Sequence, residues 1–462
     1  MSRPASLLAE PGVRDRLECP AGETRLLLQP APPVPAERLL ASAAGDGYLW
    51  APPGGAEWAG VGECLTLTAP GEARFASIRR QAEPVWRGLR VEGGDGAPST
   101  RLFGGFAFQP GGAEQEHWRG FGDARFVLPR YSYVRDGERA WLGLALVAED
   151  TAEARERWLL EWERLGSALA QVTPAETAPV GARVLSRDEP SAADWTRLVD
   201  GIRAGIAAGR VEKVVAARRL SITLEPAPDP VSLLARLRRV SPSTTRFAFR
   251  RGAATFLGAT PERLLARRGL SLETEALAGS IRPGPATARR LLASGKDHHE
   301  HELVVRDLLR VLEPLARSLE YSGQPRVQEL RHVLHLRTPV LAELREPHHV
   351  LELVERLHPT PAVGGVPRTE ALAWIAEHER RPRGWYAGPV GWFDAAGDGE
   401  FSVALRSGLL LGSTAHLYAG GGIVADSDAA GELAETQLKL AALLDALTGS
   451  DVDPAAPPAG GE

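Results

Sequence analysis

The chain has 462 residues, of which 44% are hydrophobic and 24% are charged, and its formal net charge is −5. These proportions are those of a folded globular protein, and they exclude a disordered or fibrous chain. Because no dense block of lysine and arginine offsets the negative charge, nothing favours nucleic acid or an anionic membrane as a partner. The expected partner is a small molecule.

The N-terminus and the cysteines indicate the cellular compartment. No window contains the roughly 18 apolar residues that a membrane-spanning helix needs, and the N-terminus lacks the apolar segment of a signal peptide. Cys19 and Cys64 are too few for a disulfide framework or a cysteine-based zinc site. We therefore expect a cytoplasmic protein without thiol chemistry.

Residues 1–175 are predicted to form the sheet-rich N-terminal half of the fold, because short β-like runs alternate there with glycine and proline turns. A helix is predicted next. Ser191 and Asp194 have the spacing of a capping box, and an apolar stripe runs from Trp195 to Ile206. Gly209 is expected to end this helix.

Beyond this helix the pattern alternates between strands and helices. Strands are predicted at 211–217, 245–249, 254–258, 262–267, 403–410 and 414–419, and helices at about 286–318, 350–357, 369–378 and 430–447. Such an order favours an α/β protein of the α+β type, with large, mainly antiparallel sheets flanked by helices. Residues 449–462 are predicted to be a disordered tail.

One face of the predicted helix at 286–318 mixes acidic and apolar side chains. Asp297, Glu300, His301, Val304 and Leu308 share it at helical spacing. A carboxylate beside an apolar stripe indicates that Glu300 points inward toward a ligand, and the alternative is a helix N-terminus stabilised by acids. The adjacent histidines do not form HExxH, which disfavours a zinc-dependent hydrolase.

The last predicted helix repeats this charge pattern. Glu432, Glu435, Thr436 and Lys439 lie on one face. A row of surface ion pairs explains this pattern in isolation. If the face meets Glu300, however, the oxygen-only ligands favour Mg²⁺, which proteins hold through one or two carboxylates together with water and substrate oxygens.

Two strand regions carry further candidates. Lys213 shares a strand face with Val211 and Val215, and a desolvated lysine is more readily neutral, as a general base must be. The alternative is a strand-end lysine that reaches into solvent. Glu262 follows Pro261 at a turn between strands, where it is by itself an ordinary surface glutamate.

The glycines at 420–422 are predicted to lie between a strand and a turn. Glycine allows the backbone to approach an anion closely, and a plain tight turn is the alternative. A dinucleotide site is excluded because no GxGxxG opens the next helix.

Nine segments, in this order, resemble the motifs of the chorismate-utilising enzymes. They are KVVAAR, FLGATPERLL, ETEALAGS, KDHHEHELV, LHLRTPV, LHPTPAVGGVP, YAGPVGW, EFSVALRSG and YAGGGIVADSDAAGELAETQLK. The resemblance implies an anthranilate synthase component I-like fold with a chorismate-binding catalytic region at 190–448. The N-terminal half matches weakly, through RLFGGFAF, and the segment before KDHHEH is shorter than is usual in the family.

The resemblance also implies roles for individual residues. Glu300 and Glu435 would bind Mg²⁺, which holds the ring carboxylate of chorismate, with Glu432 and Asp297 close by. The residues that would contact the substrate are Tyr386, Arg406, Gly420, Gly421, Gly422 and Lys439 at its carboxylates, and Gly279, Ser280 and His335 around its ring. Lys213 would be the general base that activates water for attack at C2, and Glu262 the general acid for the departing C4 hydroxyl.

The implied activity is the interconversion of chorismate and isochorismate, for menaquinone or siderophore biosynthesis. Because water rather than ammonia is the expected nucleophile, no glutaminase subunit is expected. A salicylate-forming enzyme is one alternative, but Ala362 stands where those enzymes carry threonine. A non-catalytic chorismate-binding subunit is another.

Overall fold

The computed structural model describes residues 18–94, 96–114, 117–171, 181–379 and 381–450. Its strands are β1 (Thr24–Pro30), β2 (Gly47–Ala51), β3 (Glu57–Thr68), β4 (Leu89–Glu92), β5 (Arg101–Phe106), β6 (Ala124–Asp136), β7 (Arg139–Val147), β8 (Arg183–Asp188), β9 (Lys213–Glu225), β10 (Thr245–Arg251), β11 (Ala254–Thr260), β12 (Arg263–Arg268), β13 (Ser271–Ile281), β14 (Ala316–Tyr321), β15 (Arg326–Glu329), β16 (Leu334–Leu344), β17 (Gly365–Val366), β18 (Pro389–Asp394), β19 (Gly399–Val403), β20 (Ser407–Leu411) and β21 (Thr414–Ile423). Its helices are α1 (Glu37–Ser42), α2 (Arg74–Gly88), α3 (Ala152–Ala170), α4 (Ala192–Ala207), α5 (Pro230–Val240), α6 (Thr287–Ala293), α7 (Gly295–Leu312), α8 (Val350–Leu357), α9 (Arg368–His378) and α10 (Ala429–Thr448).

The strands join into a branched, mainly antiparallel sheet. One branch has the order β4-β1-β7-β6-β3-β2-β10-β11-β20-β21-β9-β8, and the other runs β6-β5-β18-β19-β12-β13-β16. The branches share β6, whose first residues pair with β5 and whose last residues pair with β7. Strands from the two halves of the chain pair directly, as β2 does with β10 and β5 with β18. The predicted fold class is confirmed.

Side chains of the first branch alternate between two cores. On β10, Phe247 and Phe249 belong to an inner core that also contains Phe393 and Phe401 of the second branch. Ala248 lies between them in sequence and belongs to an outer core, which α1, α3, α5 and α10 cover. This period of two follows from the pleat of a strand, and it places apolar layers on both faces of the branch.

The helix predicted after residue 190 is confirmed as α4. The Ser191 hydroxyl accepts a hydrogen bond from the backbone of Asp194, whose carboxylate accepts one from the backbone of Ser191. This reciprocal capping box satisfies two amides that the helix leaves free. Gly209 follows the helix with a left-handed φ of 68°, as its position at the end predicts.

The single helix predicted at 286–318 is wrong. Ser294 has an extended backbone and separates α6 from α7, and its side chain accepts a hydrogen bond from the Asp297 amide to begin α7. That helix ends at Leu312, and Ala316 already begins β14. The prediction failed because the helical spacing of apolar residues continues across the break. The capping residue Ser294 was the sequence signal for a new helix.

Two strand boundaries also differ from their predictions. The strand predicted at 403–410 is interrupted by residues 404–406, which separate β19 from β20, and Arg406 there has a positive φ of 49°. In contrast, β21 continues through the three glycines to Ile423 and pairs with β9 along its whole length. The glycines therefore lie within a strand and not between a strand and a turn. They remain in the strand because β9 is long enough to pair with each of them.

The predicted disordered tail lies, apart from Gly449 and Ser450, outside the described residues. Among the helices that the structure describes, none is both long enough and apolar enough to cross a membrane.

Candidate active site

The predicted site residues from distant parts of the chain meet around one narrow cavity. Helix α7 packs against β13, and α10 packs against β21 beside β9. The cavity has a volume of about 40 Å³ and is lined, among the predicted residues, by Glu262, Gly279, Ser280, Glu300, His335, Ala362, Tyr386, Arg406, Gly420, Gly422 and Lys439. We call it the catalytic cavity.

The other predicted residues do not line this cavity but lie directly behind it. Lys213 contacts Glu300, and Glu435 contacts Lys439. Asp297 accepts a hydrogen bond from the Ser280 amide. Glu432 lies against Gly421, the glycine between two lining residues.

The innermost charge is the ammonium of Lys213, whose side chain has no exposure to solvent. Its Nζ lies 2.9 Å from Oε1 of Glu300, an ion pair whose angle is not that of a well-directed hydrogen bond. Burial alone raises the pKa of Glu300, but Lys213 and then Lys439 lower it below its ordinary value. Glu300 is therefore ionised, and it points inward as predicted.

Gly422 makes room for this ion pair. A Cβ at this position would lie 2.2 Å from Oε1 of Glu300 and 2.7 Å from Cε of Lys213. Both distances are far below van der Waals contact, so no other residue fits without separating the pair. The sequence predicted that an anion could approach the backbone of these glycines closely. At Gly422 that anion is the carboxylate of Glu300, a residue of the chain itself.

The carboxylates of α10 are paired with lysines in the same way. Oε1 of Glu432 accepts from Ser427 at 2.6 Å and from Lys296 at 2.7 Å. Oε1 of Glu435 lies 2.6 Å from Nζ of Lys439. Burial, and then repulsion from Glu435, raises the pKa of Glu432. The predicted face of α10 is therefore turned toward the site and not toward solvent.

Whether a metal ion can bind at this site depends on the donor atoms that surround the cavity. Among the described residues, no group of three or more His, Cys, Asp and Glu side chains converges on one point. Mg²⁺ does not require such a group, because one or two carboxylates with water and substrate oxygens suffice. Glu300 and Glu435 supply oxygen donors at the edge of the cavity, and their lysine partners show that cations are stabilised there.

The histidines of α7 do not form a metal site. His301 is buried, and its Nε2 hydrogen-bonds Oγ1 of Thr338 at 2.8 Å. His298 Nε2 instead contacts the Leu292 carbonyl at 2.9 Å, and His299 is exposed. Because the rings point to different neighbours, nothing in this cluster supports a zinc-dependent hydrolase.

Glu262 is a buried acid of the cavity that forms no ion pair with another described residue. It lies between β11 and β12, as predicted, but it is only 5% exposed and is not a surface residue. Burial, and then repulsion from Glu275, raises the pKa of Glu262 to about 8, although Arg406 opposes the shift. Its carboxyl group is therefore protonated at neutral pH and is available as a proton donor.

Arg406 and His335 form a fixed hydrogen-bonded pair in the wall. Nη2 of Arg406 donates to Nε2 of His335 at 2.9 Å, so the ring proton must reside on Nδ1. That proton faces the Gly279 carbonyl at 3.1 Å and the Ser280 hydroxyl at 3.0 Å. Burial, and then Arg406, lowers the pKa of His335 well below its usual value, so the ring stays neutral.

Tyr386 supplies a neutral hydroxyl to the same wall. Its ring stacks on Tyr418 with the centroids 5.1 Å apart. Burial raises the pKa of Tyr386 to about 12. The phenol therefore keeps its proton at physiological pH and can donate a hydrogen bond to an anion.

Comparison with known proteins decides the family. Residues 28–448 match the model of the chorismate binding enzymes. The chain belongs to this family. A salicylate biosynthesis isochorismate synthase from Pseudomonas aeruginosa is 40% identical over 397 residues, which are 84% of this chain and 82% of the relative.

Two solved structures agree with the fold. The menaquinone-specific isochorismate synthase of Escherichia coli superposes with a TM-score of 0.77 at 29% identity, over 94% of this chain and 98% of that chain. Anthranilate synthase component I of Streptococcus pneumoniae has a TM-score of 0.62 at 22% identity, over 77% of this chain and 83% of that chain, which shows likeness of fold alone. The predicted family and its fold are confirmed.

Sequence reasoning missed Arg383, which also lines the catalytic cavity. Its guanidinium donates to the carbonyls of Val215 and Val363, each at 2.7 Å, and pairs with Glu379 at 2.5 Å. It thereby ties β9 to the segment that carries Ala362. Two features of the sequence could have indicated its role: Arg383 lies just before the YAGPVGW motif, and it follows a glutamate by four residues.

Lys296, the partner of Glu432, was missed as well, although it stands directly before Asp297 in the KDHHEH motif. A lysine that begins a helix normally extends into solvent, so its sequence position did not indicate a contact across to α10. The structure makes it one of three lysines at the site that each pair with one glutamate.

We predict that Gly422→Ala lowers the free energy of unfolding by about 1–3 kcal/mol, because the added methyl group separates the buried ion pair or strains its surroundings. Urea denaturation followed by circular dichroism measures the change. Gly323→Ala is the matched control, since its Cβ meets nothing within 4 Å. Equal urea midpoints for Gly422→Ala and the native protein would show that Gly422 is not needed for packing.

Proposed function

We propose that the protein is an isochorismate synthase that interconverts chorismate and isochorismate with Mg²⁺ as its cofactor. One observation carries the proposal: Glu262, a buried and protonated glutamate, lines the cavity, and Lys213, a buried lysine, lies directly behind it against Glu300. The family of the chain and the isochorismate synthases among its relatives support the same substrate. The reaction needs both groups.

The proton balance explains why two groups of opposite protonation are needed. Water attacks C2 of chorismate, the ring double bonds shift, and the C4 hydroxyl leaves as water. Lys213 removes the proton from the attacking water, and Glu262 delivers a proton to the departing oxygen. The two groups exchange roles in the reverse direction, so the reaction reaches an equilibrium between two allylic alcohols.

Lys213 acts as a base only while Glu300 is engaged elsewhere. A carboxylate 2.9 Å away stabilises the ammonium form, whereas a base must be neutral. The pair therefore has to separate when substrate and Mg²⁺ are bound. Gly422 has no side chain that would hinder the movement of Glu300. The same separation opens a path from Lys213 to the cavity.

The cavity offers cationic and neutral donors to the two carboxylates of chorismate. Arg406 is fixed by its hydrogen bond to His335, and Tyr386 stays protonated. Lys439 also lines the cavity, and its Nζ donates to the Gly420 carbonyl at 2.9 Å. Fixed donors of this kind orient the substrate without a cost of reorganisation at the moment of reaction.

Glu300 and Glu435 are the residues that would hold Mg²⁺, and when bound it would supply positive charge to the ring carboxylate of the substrate. Glu432 is less suited to direct ligation because one of its oxygens is already bonded by Ser427 and Lys296. Asp297 is engaged by the Ser280 amide. We assign both to supporting positions around the ligands.

Product analysis tests the function. Purified protein with chorismate and Mg²⁺ is expected to yield a mixture of chorismate and isochorismate, with little pyruvate. Ala362, a lining residue without a hydroxyl group, offers no hydrogen bond to hold isochorismate for loss of its enolpyruvyl group. Chromatography with a coupled pyruvate assay follows the reaction. Salicylate and pyruvate formed as fast as chorismate disappears would favour the salicylate-forming alternative, and no conversion would favour a non-catalytic subunit.

We predict that Lys213→Ala lowers kcat at least about 100-fold, the usual contribution of a general base. The native enzyme should form no aminated product when ammonium replaces part of the buffer, because the base is positioned for water and no glutaminase subunit is required. Mass spectrometry of the products decides this point. Efficient amination by the native protein would overturn the assignment of water as the nucleophile.

We predict that turnover decreases as the pH rises through about 8, because Glu262 then loses the proton that it must donate. In Glu262→Gln this alkaline limb should disappear, and the residual rate should be about 100-fold or more lower. The pH profile of kcat measures both effects. Retention of the alkaline limb in Glu262→Gln would assign it to another group.

We predict that Glu300→Gln and Glu435→Gln each abolish turnover and weaken metal binding, since each removes a charged ligand. Binding of Mn²⁺, detected by electron paramagnetic resonance, reports the metal independently of activity. The exposed Glu302 on the same helix provides Glu302→Gln as the matched control. Native-like Mn²⁺ affinity in either variant would exclude that residue from the metal site.

A further inference from the structure

A second cavity of about 570 Å³ lies outside the catalytic cavity. It is enclosed by the beginning of α4, by the paired strands β9 and β21, and by residues 377–379, Arg381 and Arg383. We call it the Trp195 cavity. Its volume is in the range of about 300–1,000 Å³ that small-molecule sites occupy, and no step of the proposed reaction uses it.

The two cavities lie next to each other on one face of the same strand pair. Opposite residues on this face are Val215 with Gly422, then Ala217 with Gly420, then Arg219 with Tyr418. The catalytic cavity occupies the first positions, and the Trp195 cavity occupies the last. Arg383 borders both cavities, and the stacked rings of Tyr386 and Tyr418 stand between them.

The charges around the Trp195 cavity are almost completely matched. Among the residues that the structure describes, five arginines and five carboxylates line it. Four of these arginines have a carboxylate partner in the lining, and the pairs are Arg197–Asp194, Arg218–Glu189, Arg381–Asp188 and Arg383–Glu379. The remaining arginine is Arg219.

Arg219 has no carboxylate partner among the residues that the structure describes. Its Nε is buried and makes no hydrogen bond there, and Nη2 of the neighbouring Arg218 is likewise a buried donor without a partner. The remaining carboxylate, Glu377, does not compensate them, because its side chain is 78% exposed and lies beside His378. Among the described lining residues, Arg219 is therefore the arginine that no carboxylate compensates.

We propose that the Trp195 cavity binds a small aromatic monocarboxylate. Its carboxylate would pair with Arg219, since a guanidinium matches a carboxylate with two parallel hydrogen bonds. Its ring would contact Trp195 and Tyr418, the large aromatic side chains that border the cavity. Because Arg219 is the one arginine of the described lining without a carboxylate partner, the site favours one carboxylate over the two that chorismate carries. The ligand is thus distinct from the substrate.

Binding of a ligand in the Trp195 cavity should change the position of residues in the catalytic cavity. Arg383 forms part of the wall between them and holds the Val215 carbonyl at 2.7 Å. A ligand that shifts Arg383 therefore shifts β9 two residues from Lys213. We expect an inhibitor that lowers kcat without changing the apparent affinity for chorismate.

The test uses the full chain and 2-hydroxybenzoate as the probe, titrated by isothermal calorimetry with and without saturating chorismate. Binding should be unaffected by chorismate, and benzamide, which keeps the ring but lacks the charge, should not bind. Arg219→Gln and the cavity-filling Leu198→Trp should each weaken binding about tenfold or more. Leu160→Trp is the matched control, because Leu160 is 52% exposed on another helix.

Thermal melting and turnover without the probe verify that each variant is folded, since neither Leu198 nor Arg219 belongs to the catalytic machinery. The proposal is overturned if the probe does not bind at millimolar concentration, if chorismate displaces it, or if both variants bind it like the native protein. Displacement by chorismate would place the probe in the catalytic cavity. Because binding is read directly, these outcomes do not depend on which reaction the enzyme catalyses.

Discussion

The ammonium of Lys213 lies where solvent does not reach, and the carboxylate of Glu300 at 2.9 Å compensates its charge. Removing one partner from a buried ion pair typically costs about 3–5 kcal/mol, because the other charge is left uncompensated. In the protein without substrate and metal, this pair therefore holds the first residue of β9 against the second turn of α7, and position 422 of β21 between them must remain glycine. The rest of the site is arranged around this contact.

Two glutamates of the same cavity have opposite protonation because their surroundings differ. Glu300 faces lysines, which lower its pKa, whereas Glu262 is buried near Glu275, which together with burial raises its pKa to about 8. Carboxyl groups held in different states are the usual sign of divided acid and base roles. Here one glutamate is suited to bind a cation and the other to donate a proton.

Much of the fold was predictable because its signals are local. The capping box at Ser191 and the periodicity of α4 and α8 depend on near neighbours in sequence, and the structure agrees with them. The break at Ser294 was missed because helical spacing continued across it. The extension of β21 through its glycines depends on pairing with β9, which no local pattern contains. The partners of Lys213 and Lys296 lie far along the chain, so their contacts required the tertiary structure, as did the contact of Arg383 with Val215.

The most direct test of the proposed chemistry is the origin of the hydroxyl group at C2. The enzyme is incubated with chorismate and Mg²⁺ in water enriched in oxygen-18, and the isochorismate is analysed by mass spectrometry and carbon NMR. Attack by water activated at Lys213, with protonation of the leaving group by Glu262, predicts one oxygen-18 atom at C2 of isochorismate in the first turnovers. Isochorismate without the label would mean that the C4 hydroxyl is transferred within the molecule, and it would contradict the roles assigned to both residues.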